Sequence, residues 1–227
     1  MANLIVTIDG PAASGKSTVA RLLAERLGAS FLDTGAMYRA VTLAAIQTGV
    51  DMNNEEELMG VLKNSEFGFA AKEGKLMVLI NGVDVTAQIR EPEVTAYARY
   101  IASAAKVRDK LVEMQRQFAA REDKIVTEGR DQGTVAFPNA NIKFYLTANK
   151  GERAKRRQAE LRAKGSTESL EQIQSDLQER DKSDQTRAVG PLKPADDAIV
   201  VDTTDLSIEQ VLAKLLGYVK KKCLKKD

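Results

Sequence analysis

Leu4-Ile5-Val6-Thr7-Ile8-Asp9-Gly10-Pro11-Ala12-Ala13-Ser14-Gly15-Lys16-Ser17 is the stretch on which the fold turns. Leu4 to Ile8 is an apolar run of strand length, and Gly10 to Ser17 fits the pattern GxxxxGK(S/T) in full. Beyond it Val19, Leu22, Leu23 and Leu27 recur on one helical face, and Gly28 marks the stop. A strand, then this loop, then an amphipathic helix is the context that separates a phosphate-binding loop from an ordinary glycine-rich turn. The physics is anion capture, with consecutive backbone N–H groups and a helix N-terminus aimed at phosphate. In such a loop Lys16 reaches the β- and γ-phosphates and the Ser17 hydroxyl ligates Mg²⁺.

Outward from this unit, strands and helices keep alternating. Ser30 to Leu32 reads as a second strand, leading into a helix from about Thr34 to Gln47. Residues 66–88 change character. Phe67 and Phe69, the turn Glu73-Gly74, Leu76 to Ile80, the Asn81-Gly82 hairpin signal and Val83 to Val85 predict a small antiparallel sheet. One long helix is expected from about Pro92 to Ala119. Ile125 to Thr127 and Ile142 to Leu146 are further strands, and residues 150–185 form a charged helical stretch. Ala198 to Val201 is a last strand and residues 207–222 a last helix. The pattern argues an α/β fold with a parallel central sheet flanked by helices and a β-rich insertion.

The chain has 227 residues, 43% of them hydrophobic and 29% charged, which suits one or two globular domains and not a disordered chain. Lys and Arg number 34 against 32 Asp and Glu, so there is no global field for nucleic acid. Aromatics at 5%, with no Trp, exclude a stacking platform for single strands. There is no histidine, which removes Ser-His triads, HExxH metalloproteases and every His-based acid–base mechanism. The single cysteine, Cys223, excludes an intramolecular disulfide and a thiolate zinc site. Any chemistry must use carboxylates, Lys, Arg, hydroxyls and backbone. Met1-Ala2-Asn3 lacks a basic leader, no apolar run is long enough to span a membrane, and Cys223 lies outside a prenylation box. A soluble cytoplasmic protein is expected. The run Lys220-Lys221-Lys222-Cys223-Leu224-Lys225-Lys226 reads as a helix end favoured by the dipole, not as a membrane or nucleic-acid patch.

A phosphate loop alone leaves GTPase switches, motor or transporter ATPases and kinases open. Asn149-Lys150-Gly151-Glu152 is a near miss to a guanine-reading motif and reads instead as a helix entry, with Asn149 capping and Glu152 closing a capping box. Glu128, after Ile125-Val126-Thr127, is the nearest acid to the position that would hold an Mg²⁺-bound water. Asp9 is either a group behind the metal or a turn former.

Three more segments narrow the class. They are Leu32-Asp33-Thr34-Gly35-Ala36-Met37-Tyr38-Arg39, Glu128-Gly129-Arg130-Asp131-Gln132-Gly133-Thr134, and Glu179-Arg180-Asp181 through Arg187-Ala188-Val189-Gly190-Pro191-Leu192. With Ile8-Asp9-Gly10-Pro11, they resemble bacterial cytidylate kinases of the long form, from about Ile5 to Tyr218. The resemblance implies a P-loop kinase fold with a helical lid, and transfer of the γ-phosphoryl of ATP to CMP or dCMP with Mg²⁺. Such an acceptor is mostly ionised at neutral pH, since its second pKa lies near ~6, so no general base is needed. That suits a chain without histidine. What the chemistry needs is positive charge around the transferring group.

Carried over by this resemblance, Gly10, Pro11, Ala12, Ala13, Ser14, Gly15, Lys16, Ser17, Thr18 and Arg157 bind ATP. Thr34, Tyr38, Arg39 and Arg130 hold the acceptor phosphate side, Arg108 and Asp131 read the cytosine, and Asp184 and Arg187 contact the sugar. Lys16, Arg130 and Arg187 carry the catalytic charge. A single nucleoside monophosphate kinase domain is implied, with a core of about 1–33, 120–152 and 190–227. An acceptor-binding region with the β insert covers about 34–119, and a lid about 153–187 brings Arg153, Arg156, Arg157 and Arg180 over ATP. A monomer without nucleic-acid or membrane partners is expected. Thr34 has a second reading as the N-cap of the helix that follows. The family usually has Ser at Thr34, often Arg at Ser183 and a small hydroxyl residue at Arg99. Arg99 is donor-only, and if it reaches the base it weakens rejection of UMP. A nucleotide-gated switch and a kinase of another small acceptor, such as shikimate or dephospho-coenzyme A, are the alternatives; Arg130-Asp131 and Asp184-Arg187 speak against the switch.

Overall fold

The computed structural model describes residues 2–72, 75–163 and 165–223. β1 (Leu4–Asp9) runs into the phosphate loop and α1 (Lys16–Leu27), followed by β2 (Ser30–Asp33) and α2 (Thr34–Thr48). After α3 (Glu55–Asn64) come β3 (Phe67–Lys72), β4 (Lys75–Ile80) and β5 (Val83–Asp84). A 3-10 turn, Gln88–Arg90, leads to α4 (Pro92–Ser103) and α5 (Ala105–Ala120). β6 (Lys124–Gly129), a π-helical turn at Gln132–Ala136 and β7 (Ile142–Thr147) return the chain to the sheet. The last elements are α6 (Lys150–Arg162), α7 (Leu170–Thr186), β8 (Ile199–Asp202) and α8 (Ile208–Cys223).

Five strands form one parallel sheet in the order β2-β6-β1-β7-β8. Val6, Ile8, Ile125, Val126, Phe144 and Leu146 are buried, the continuous apolar reading of strands covered on both faces. Val19, Ala20, Leu23 and Ala24 of α1 pack there with Val211 and Leu215 of α8. β1 lies between β6 and β7, so Asp9 opens at the carboxyl edge of the sheet, where ligands bind in open α/β folds. The loop then passes hard against β7. Gly10 has φ +147, and a Cβ there would sit 2.0 Å from the Leu146 carbonyl oxygen.

A second apolar cluster surrounds α2, joining Leu32, Met37 and Val41 to Leu76, Val78 and Ile80 of β4 and to Ile89, Ile101 and Leu111. The antiparallel sheet β3-β4-β5 is therefore continuous with the core around α2. The expected turn Glu73-Gly74 and residues 224–227 of the lysine run lie outside the described residues. Among the described residues no helix is long and apolar enough to cross a membrane.

One helical expectation needs correction. The single helix over 92–119 is two, broken at Ala104, whose backbone is extended at φ −77 and ψ 110. Side chains satisfy the broken ends, one local and one distant in sequence. Arg108 Nη1 donates to the Ala102 carbonyl at 3.1 Å, and the Lys106 N–H donates to Glu55 Oε1 at 2.8 Å. The charged stretch is helical as expected, in two helices, the second opened by Ser169, which accepts from the Gln172 N–H at 3.2 Å.

Glycine substitutions at two places should shift stability in opposite directions. Gly10→Ala forces a Cβ into the Leu146 carbonyl and should destabilise by about 2 kcal/mol or more. Gly217, exposed within α8, has no neighbouring atom within 4 Å of where a methyl would stand, so Gly217→Ala should stabilise by about 1 kcal/mol. Equilibrium urea midpoints of the two variants check both signs.

Candidate active site

The sheet edge collects the first group of side chains. Parallel register sets Ile8 beside Glu128 and Glu128 beside Asp33, so three strands deliver Asp9, Asp33 and Glu128 to one place. Asp9 accepts from the Gln132 and Gly133 N–H groups at 2.9 and 2.7 Å, fixing the turn after β6. Burial pushes its carboxyl up to about 6 against those two hydrogen bonds. Glu128 is also pushed up, by burial first and by Asp33 next. Ser17 Oγ donates to Glu128 Oε1 at 2.7 Å, so the two groups expected near Mg²⁺ do meet. Among the described residues no cluster of three or more His, Cys, Asp or Glu forms a metal cage.

Lys16 is buried at the mouth of the loop, its Nζ donating to the Pro11 carbonyl at 2.6 Å and to Ser14 Oγ at 3.4 Å. Burial, with Arg130 next, pulls its ammonium down to about 7. Thr34 is not the helix cap. Asp33 takes that place, accepting from the Ala36 N–H at 2.9 Å, and Thr34 Oγ1 donates to the Glu128 carbonyl at 2.7 Å.

Beside this edge lies a cluster built by separate segments. Arg108 of α5 pairs with Asp131, and both are buried; it is the charged side chain that an exposed helix face would not explain. Arg187 Nη2 lies 3.8 Å from the same Asp131 and its Nη1 3.8 Å from Asp184. Arg130 Nε donates to Asp184 Oδ2 at 2.7 Å. Burial works against the charge on Arg130, and Asp184 more than offsets it, holding the guanidinium above its ordinary range. Burial also acts against the Asp184 carboxylate, but Arg130 and Arg180 hold its pKa below the usual value. Gly190, at φ +56, closes the cluster: its carbonyl accepts from Arg187 Nε at 2.6 Å, and a Cβ would lie 2.2 Å from both Arg108 Nη2 and Asp131 Oδ2.

Tyr38 and Arg39 complete this side. Arg39 sits 3.3 Å from Asp33, and Arg108 lies over the Tyr38 ring at 5.6 Å. Among the described residues the Tyr38 hydroxyl, Arg39 Nε and Arg108 Nε are buried without a hydrogen-bond partner. Three orphaned polar groups on one cluster are what a site looks like when its ligand supplies the missing partners. Arg90 adds a further cation, 3.4 Å from Asp33. Sequence reasoning missed it, because an arginine at the end of a short turn looks like any surface arginine.

The α6–α7 pair departs from expectation. Arg156 is held by Thr203 Oγ1 at 3.0 Å, the Thr203 carbonyl at 2.6 Å and Glu152 Oε1 at 3.0 Å, and Arg153 is buried. Neither projects freely over the phosphate loop. Among the described residues Arg157, half-buried, pairs with Glu160 at 3.2 Å on its own helix. Arg180 is exposed by surface area, yet the protein atoms around it and, next, Arg130 pull its guanidinium down to about 10. Ser183 is exposed. Asn149 caps α6 as expected, accepting from the Glu152 N–H at 2.7 Å, but the box stays half-made because the Glu152 carboxylate turns to Arg156. Arg99 is exposed, with its guanidinium 5.1 Å from the Tyr100 ring, and does not join Arg108 and Asp131. Ala13, Ser14, Gly15, Thr18, Arg156, Thr203 and Leu206 line a cavity of about 290 Å³ beside the loop.

The chain resembles known proteins across almost its whole length. Residues 6–221 match the family model described as cytidylate kinase. Similar proteins include the cytidylate kinases of Bacillus thuringiensis strain Al Hakam and Bacillus cereus strain AH187, each 46% identical over 214 residues, 94% of this chain and 95% of the relative. An uncharacterized protein from Eubacterium ventriosum shares the fold, with a TM-score of 0.52 at 13% identity, over 96% of this chain and 98% of its own. The chain belongs to the cytidylate kinase family, the phosphotransferases that act on nucleoside monophosphates.

Proposed function

We propose that this chain transfers the γ-phosphoryl of ATP to CMP or dCMP, giving CDP or dCDP and ADP. The observation that carries the reading is the partly orphaned cluster of Tyr38, Arg39, Arg108, Arg130, Asp131, Asp184 and Arg187 set beside a complete phosphate loop. A nucleotide switch has no use for a second charged site, and an acceptor site needs one. In this reading residues 1–33, 120–152 and 190–227 form the core, 34–119 the acceptor side and 153–187 a lid.

The loop backbone and Lys16 cradle the triphosphate, with the cavity lined by Thr18, Arg156 and Leu206 beside it for the nucleoside. Ser17 and Glu128 fit Mg²⁺: a hard cation held mainly by phosphate and water needs one hydroxyl and one nearby carboxylate, not a cage. When bound, the ion supplies charge to the phosphates. Arg39 and Arg130 hold the acceptor phosphate, Arg187 supports the charge that spreads in the transition state, and Asp184 takes the sugar. Their planar forks stay charged and bind phosphate through paired hydrogen bonds. Asp131 accepts from the cytosine amine and Arg108 donates to O2 and N3, so a uracil carbonyl would face a carboxylate. Closure of the lid excludes water from the γ-phosphate. The protein acts as a cytoplasmic monomer without nucleic-acid partners.

Lys16→Ala should lower kcat by about a hundredfold or more, since a preorganised cation at the transferring group is worth several kcal/mol. Its melting temperature should stay near that of the parent, and coupled ADP release checks the rate. More than about a tenth of parental activity would remove Lys16 from the reaction.

Because Lys16 is pulled down to about 7, it is largely neutral at pH 8 and charged at pH 6. Phosphate oxygens favour the charged form, so the protein should take up close to one proton when a nonhydrolysable ATP analogue binds at pH 8, whereas at pH 6 Lys16 is already charged and the half-protonated terminal phosphate should release protons instead. Titration calorimetry in buffers of different ionisation enthalpy reads the difference directly.

Base choice should rest on Arg108 and Asp131 and not on Arg99, which faces solvent. Arg99→Ser should leave the ratio of kcat/KM for CMP and UMP within about twofold, while Asp131→Asn should shift it by about tenfold toward UMP. A large move in the Arg99 variant would place that residue at the base.

A further inference from the structure

Arg153 stands where an exposed lid cation was expected, and it is tied to three segments at once. Its Nε donates to the Ala148 carbonyl at 3.2 Å at the end of β7, and its Nη1 donates to the Ala12 carbonyl of the phosphate loop at 3.2 Å. The same Nη1 lies 2.6 Å from Asp181 Oδ2 on α7. Around this fork Ala12 packs with Ala154 of α6 and with Ile173 and Leu177 of α7 in a small apolar cluster. The two helices are therefore docked on the loop itself. A guanidinium is tolerated in such a place only when it is paired and hydrogen-bonded, and Arg153 is both.

Stability alone is a poor account of the pair. Among the described residues Asp181 Oδ1 is buried with no hydrogen-bond partner, so the carboxylate carries a desolvation cost that an apolar residue would avoid. What the pair does lies in what it connects. Asp181 and Asp184 are three residues apart on α7 and lie on one side of the helix. Asp181 meets Arg153 and, through it, the Ala12 carbonyl; Asp184 meets Arg130 in the acceptor cluster. One turn of α7 touches both halves of the site.

We propose that Arg153 and Asp181 are positioning residues that hold the phosphate-loop backbone at Ala12 in register with the acceptor cluster. The inference rests on the phosphotransferase reading above, and part of its test needs no turnover. Amide hydrogen exchange over residues 10–17, measured on the full chain without nucleotide, should be about fivefold or more faster in Asp181→Asn than in the parent. In steady state the variant should lose kcat by about tenfold or more, with the KM for CMP changed less than about twofold. Arg153→Lys keeps a charge for Asp181 but not a fork for two carbonyls, and should fall between the two. If Asp181→Asn does not fold, Arg153→Lys carries the same comparison. Loop exchange and kcat both within about twofold of the parent would overturn the proposal, as would a loss confined to the KM for CMP. A parent that does not phosphorylate CMP would refute the functional reading, while the exchange comparison would still decide this one.

Discussion

A cleft that grips two phosphate-bearing molecules has to concentrate cations, and two like charges at 4 Å repel by about 4 kcal/mol even at an effective dielectric near 20. Everything around the site is arranged against that repulsion. Asp33 takes Arg39 and Arg90, Asp131 takes Arg108 and Arg187, and Asp184 takes Arg130 and Arg187. Each acid lies between two guanidiniums, so the cations can stay charged and close together. Burial first, and Arg130 next, pull Lys16 and Arg180 below their ordinary ranges. A site that crowds cations in this way favours polyanions, whose oxygens offset the repulsion.

The acids themselves come from long-range structure. Asp33 and Glu128 sit side by side only because β2 pairs with β6, and Asp9 stands opposite Gly129 only because β6 pairs with β1. Local sequence carries no trace of that juxtaposition. It does carry the parts: an apolar run before each acid, and a turn residue after it. This is why the phosphate loop, the two strands after it, the antiparallel insert and the terminal β8–α8 unit were readable, each resting on periodicity within one short window.

What was not readable has a common cause. The break at Ala104 has no glycine or proline; the exposed helix ends are satisfied by the Arg108 side chain just beyond it and by Glu55 from a distance in sequence. Thr34 looked like a cap because a hydroxyl precedes a helix, yet Asp33 is one residue better placed and Thr34 turns to the Glu128 carbonyl. Arg153 and Arg156 looked like Arg157, since all lie on one charged helix, and only the packing of α7 and the loop at Thr203 separates buried clamps from a half-exposed cation. Arg108 is the sharpest case. Only the family resemblance marked it as a base-reading candidate, and helix periodicity alone would have left it on a solvated face, whereas it is among the largest fully buried side chains.

That burial separates two kinds of arginine. Arg108 is fixed by the Ala102 carbonyl, by Asp131 and by the close approach of Gly190, so its donors keep one orientation. Arg39 and Arg130 are less buried, with side chains 17% and 18% exposed, and each shares its carboxylate with a second guanidinium, while Arg187 is held by the Gly190 carbonyl, Asp131 and Asp184. Discrimination between bases needs groups that do not adapt, because a donor that can swing away tolerates the wrong partner. Following a phosphoryl group between two oxygens needs the opposite, cations that can shift as charge moves. In the reading proposed above, the base-facing pair Arg108 and Asp131 lies beside Tyr38 and the core around α2, and Arg39 and Arg130 lie near the sheet edge. Gly190 touches both sets, closing on Arg108 and Asp131 and accepting from Arg187, so a side chain there would disturb base choice and phosphoryl transfer together.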